Sequence, residues 1–131
     1  MGPFIYIMHM KPDIYNIKVS TYRRTLQLIV WWWKKYFDKE FGDTGLEYEL
    51  NNWVYMYDKE NNCNVIWLDS YDLSVLVHEL VHCMLEMLEQ VWEEADGEAP
   101  AYIYEEMFTS IWLQCWKKFK LSKDVKKFYT K

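Results

Sequence analysis

Apolar residues from Leu73 to Val91 recur at helical spacing. At about 100° per residue, Leu73, Leu76, Val77, Leu80, Val81, Met84, Met87, Leu88 and Val91 fall in one sector. The pattern predicts a helix to about Trp92, opened by Asp69 or Ser70 as N-cap and broken by Glu93-Glu94-Ala95-Asp96-Gly97. A last long helix is predicted from near Glu98 to about Phe119. Pro100 fits only its first turn, and Tyr104, Phe108, Ile111, Trp112 and Cys115 form its core face. An earlier helix is predicted from Ser20 or Thr21 to about Phe41, stopping at Gly42. Its stripe is Tyr22, Leu26, Ile29, Val30, Trp33 and Phe37, widened by Trp31 and Trp32.

Other segments read as strand. Phe4-Ile5-Tyr6-Ile7-Met8, bounded by Pro3 and Pro12, suits a short one. After a turn at Gly42-Asp43-Thr44-Gly45, Leu46 to Tyr57 and Cys63 to Leu68 read as two strands. The polar loop Asp58-Lys59-Glu60-Asn61-Asn62 makes them a hairpin. The expected architecture is α+β: a small antiparallel sheet, a packed N-terminal helix, then two successive helices. One domain spanning 1–131 is the natural prior for 131 residues, with 117–131 as a lysine-rich tail.

Composition narrows the function classes. Hydrophobic content of 51% allows a real core. Uncharged runs such as Thr25 to Trp33 are far too short to cross a bilayer. Trp31-Trp32-Trp33 before Lys34-Lys35 also has the look of an interfacial anchor, but a core-facing helix accounts for it better, so no membrane partner is expected. No secretory signal is read at the start. Three cysteines, Cys63, Cys83 and Cys115, stand at unrelated spacings, which suits small buried thiols in a reducing cytoplasm. Net charge is −5 and unevenly spread: residues 1–116 carry 8 basic and 19 acidic side chains, residues 117–131 carry 7 lysines and one aspartate. The acidic body disfavours nucleic acid. The lysines are expected to cap a helix end and solubilise a terminus.

The chemistry concentrates at His78-Glu79-Leu80-Val81-His82. Positions i and i+4 of a helix lie about 40° apart around the axis, one turn up, so two imidazoles can grip one ion. Glu79 is close enough to handle a proton of metal-bound water, the H-E-x-x-H arrangement of zinc hydrolases. Both histidines fall outside the apolar sector, beside Glu86 and Glu89. Zinc catalysis needs a third protein ligand. Glu86 lies about 12 Å along the axis from His78, too far to join a chelate with both histidines. Glu98 leads the candidates, with Tyr102 one turn further on the same face. Glu93, Glu94, Asp96, Glu105 and Glu106 compete, and most of these are expected to be solvated surface. His9 has no spacing that makes it a ligand.

His78-Glu79-Leu80-Val81-His82, a gap, then Glu98-Ala99-Pro100-Ala101-Tyr102 resembles the gluzincin pattern, in its small minigluzincin form. Short proteins of that type are frequent in bacteriophage genomes. The resemblance covers roughly Leu46 to Leu113. It implies a zincin-like fold and Zn2+ held by His78, His82 and Glu98, with Glu79 as general base in peptide-bond hydrolysis. Tyr102 is a candidate donor to the developing oxyanion, or simply a core aromatic. The expected partner is a peptide or protein substrate. The alternative is a catalytically silent zinc-binding interaction protein acting on a host protein from the host cytoplasm.

Overall fold

The computed structural model describes residues 11–31 and 53–121. Among the described residues, four strands form one mixed sheet: β1 (Asp13–Val19), β2 (Arg24–Val30), β3 (Trp53–Asp58) and β4 (Cys63–Leu68), in the order β1-β2-β4-β3. Two helices of the described residues, α1 (Leu73–Gln90) and α2 (Ala99–Cys115), pack on one face. α1 covers β3 and β4, and α2 lies along β1. The α+β class is as expected, and the β3–β4 hairpin matches the predicted one.

The sheet is not purely antiparallel. β2 pairs with β4 in parallel, from Leu26 opposite Asn64 to Val30 opposite Leu68. Parallel neighbours need a connection of about a dozen residues or more, and along the chain β2 and β4 are separated by residues 31–62, β3 among them.

The predicted helix from Ser20 is also corrected over its described part. A short 3-10 turn at Ser20–Tyr22 and a left-handed Arg23 (φ 53°) lead directly into β2. Leu26, Leu28 and Val30 enter the core under the helices, while Ile29 and Trp31 enter a second cluster on the opposite face with Val54, Val65 and Trp67. A strand buried on both faces reads as a continuous apolar run, which periodicity alone cannot separate from a buried helix. β1 was legible from its alternation, Tyr15, Ile17 and Val19 inward against Ile14, Asn16 and Lys18 outward, and was missed. The strand expected at Phe4–Met8, His9, the turn at Gly42–Gly45, Leu46–Asn52 and the lysine tail beyond Leu121 lie outside the described residues.

Helix ends moved by a few residues. Asp72, not Asp69 or Ser70, caps α1: its Oδ1 accepts from the backbone N–H of Ser74 at 3.0 Å and of Val75 at 3.5 Å. α1 closes at Gln90, two residues early, in a Schellman arrangement. Trp92 N–H donates to Glu89 O at 3.2 Å and Glu93 N–H to Leu88 O at 2.9 Å. Trp92 holds the left-handed position (φ 60°), usually given to glycine, and is 94% exposed. α2 starts after Glu98 with Pro100 in its first turn, then ends at Cys115 in a 3-10 turn at Trp116–Lys118. Its buried face is Ala99, Ile103, Met107, Ile111 and Cys115. Trp112 is exposed instead, and Tyr104 and Phe108 are half-buried.

The largest departure concerns how α1 is turned about its axis. Leu76, Glu79, Leu80, Cys83, Met87 and Leu88 are buried, whereas Val77 and Val81 are 37% and 40% exposed. The buried face is therefore rotated away from the centre of the apolar sector, toward Cys83 and Glu79. A polar knot at the end of α1 sits on that side. Gln90 Nε2 donates to Asn64 Oδ1 (3.1 Å) and Gln90 Oε1 accepts from Asn64 Nδ2 (3.3 Å) and Arg24 Nε (3.0 Å). Tyr55 Oη donates to the same Asn64 oxygen at 2.6 Å, and Asn64 Nδ2 also donates to Thr25 O at 3.1 Å.

Two stability outcomes follow from these ends. Asn64→Ala strands the half-buried partners of its amide, Tyr55 and Gln90, and should lose about 1–3 kcal/mol in urea unfolding; an unchanged midpoint would contradict the anchoring role. Trp92→Gly relieves a left-handed side chain and should gain roughly 1 kcal/mol, with a loss as the contrary result.

Candidate metal centre

His78 and His82 stand two residues either side of Leu80, which is fully buried. Two steps of about 100° turn each of them some 160–200° from Leu80, so the pair occupies the outward ridge of α1. Both are exposed. One turn apart, their rings lie 4.9 Å centroid to centroid at 69°, with the Nε2 atoms 3.2 Å apart. Two nitrogens bound to one tetrahedral ion at 2.0–2.1 Å would be about 3.3–3.4 Å apart. The same distance is also a hydrogen bond between one protonated Nε2 and one bare one. Either way, the two Nε2 atoms face each other across one turn of the ridge.

Glu79 leaves the ridge on its sheet-side flank and is only 4% exposed. Burial raises its carboxyl pKa, and the nearby imidazoles of His78 and His82 pull it back down. Its burial was not foreseen, although its spacing from Leu76 (i+3) and Cys83 (i−4) places it on the face they share. Cys83 is buried, and burial pushes its thiol pKa well up, so it is a packed residue and no ligand. Glu86 is exposed and lies near enough to Tyr55 and Cys83 to raise both their pKa values, which puts it on the β3 side of α1.

Glu98 and Tyr102 are elsewhere. α1 and α2 run antiparallel: residues 91–98 join their near ends, and Leu73 N–H donates to Lys120 O at the far end. Glu98 is therefore level with the close of α1, about 12 Å along the axis from His82. It is exposed, its side chain makes no capping bond, and its carbonyl accepts from Tyr102 N–H at 3.2 Å. Tyr102 is half-exposed beside Tyr22. Burial, Glu93, Tyr102 and Glu106, in that order, raise the Tyr22 pKa. Glu106 is committed to the turn after β1, accepting from Thr21 Oγ1 at 3.2 Å. Among the described residues no group of three or more His, Cys, Asp or Glu is gathered to hold a metal ion. Equal rise per residue puts Phe108 and Trp112 of α2 level with the histidines, and these supply no carboxylate.

The residues present thus fit two of the ligands a zinc ion takes, by donor type and by spacing. Two surface concavities lie elsewhere, one lined by Lys11, Asp13, Trp31 and Tyr71 and one by Lys18, Glu105, Glu106 and Leu113. No helix among the described residues is long and apolar enough to cross a membrane.

Calorimetric zinc titration tests the pair. His78→Ala and His82→Ala should each lose more than the roughly 10–100-fold typical of outer changes, while Cys83→Ser keeps wild-type affinity. Undiminished affinity in His78→Ala would remove the centre. No protein-family model, curated protein or solved structure matches this chain.

Proposed function

We propose that the chain is a zinc-dependent hydrolase of peptide bonds, with His78 and His82 holding the ion and Glu79 as general base. The observation that carries the proposal is the convergence of the two Nε2 atoms, 3.2 Å apart, beside a buried glutamate. Bound zinc would supply Lewis acidity and a water acidified towards pH 7. Glu79 would accept a proton at its carboxylate and return it to the leaving amine. Burial lifts its proton affinity toward the range where a general base works well.

On likeness to the gluzincin pattern alone, Glu98 would be the third ligand and Tyr102 the oxyanion donor, but Glu98 stands level with the close of α1, about 12 Å along the axis from His82. The described residues do not gather it with the imidazoles. Free Cys63, Cys83 and Cys115 agree with a reducing, cytoplasmic setting, the host's own if the chain is phage-encoded.

A second reading is a catalytically silent zinc-binding interaction protein that engages a host protein. The outward placement of the histidines, beside exposed Val77 and Val81, favours it.

Glu79→Gln separates the two. On the hydrolase proposal zinc stays bound and cleavage of a peptide library falls by about 10²–10⁴, the usual worth of a positioned base. Cleavage at the wild-type rate would refute Glu79 as base. A biological effect retained without cleavage would favour the interaction protein.

A further inference from the structure

The outward ridge of α1 is incomplete in two respects. It offers two nitrogens to an ion that takes four ligands in a closed site, and no third His, Cys, Asp or Glu joins them among the described residues. It is also bordered by apolar side chains left open to water. Val77, Val81 and Leu85 follow one another every four residues and are 37%, 40% and 45% exposed. They run along the flank toward α2, where Trp112, level with His78, is exposed as well.

A second copy of the same surface resolves both. In a two-fold contact each patch meets itself, so a residue on one copy and its counterpart share one neighbourhood. We propose that the ion at His78 and His82 is shared by two copies of this chain, four imidazole nitrogens in all, with Val77, Val81 and Leu85 packed across the contact. The inference uses the metal pair proposed above. Four protein nitrogens leave no position for solvent on the ion. The paired form is then the silent state of the hydrolase, and the single chain its active one.

The test is zinc titration into metal-stripped full chain, followed by sedimentation equilibrium and metal content. The expected result is a monomer in chelator and a dimer at one zinc per two chains. His78→Ala stays monomeric throughout. Leu85→Lys keeps both ligands but needs about tenfold more protein to pair, a loss of one decade in affinity. One zinc per chain on a monomer would overturn the shared ion while leaving the hydrolase proposal standing. A dimer that persists in chelator would overturn the metal bridge. Failure to take up zinc would remove this inference and the hydrolase proposal together.

Discussion

The paired amides of Gln90 and Asn64 pin the Cys83–Glu79 flank of α1 to the sheet. Asn64 sits fully buried in β4, and its side chain meets Tyr55, Thr25 and Gln90 at once. Unmatched, such an amide would be costly in the core, so its partners are held in place. Gln90 lies on the same flank of α1 as Cys83 and Glu79. Tying Gln90 to the sheet draws that flank inward, and the Asp72 cap fixes the other end of the helix. Every property of the candidate centre depends on that rotation.

Turned this way, α1 buries Glu79 and lifts His78 and His82 onto its outer ridge. The glutamate acquires a raised pKa, and the imidazoles converge in the open. The cost is exposure of Val77 and Val81, apolar residues that a centred stripe would have covered. α2 is constrained separately. Its flank toward β1 is engaged through Glu106 with Thr21 and Gln114 with Asn16. Its opposite flank carries the stacked row Tyr104, Phe108 and Trp112 beside α1. The short antiparallel connection then puts Glu98 at the wrong level for the histidines.

Local chemistry was legible in the sequence and long-range pairing was not. The i, i+4 histidines off the apolar sector, the β3–β4 hairpin and the start of α2 at Glu98 with Pro100 inside its first turn all follow from spacing and propensity. β2 was misread because Leu26, Ile29 and Val30 satisfy a helical period while Leu26, Leu28 and Val30 satisfy a strand period. Only its place between β1 and β4 decides between them. The parallel pairing with β4 leaves no local trace at all. The rotation of α1 was hidden for a similar reason: it goes with a contact to Asn64, 26 positions away from Gln90, that leaves no trace in the helix's own pattern. The level of Glu98 likewise depends on how the two helices pack.

Zinc-edge X-ray absorption on the zinc-loaded chain tests the central claim most directly. The account predicts scattering from at least two imidazoles with nitrogens at about 2.0–2.1 Å from the metal, lost when both His78 and His82 are replaced by alanine. A coordination shell without imidazole, or an unchanged spectrum from that double variant, would contradict it.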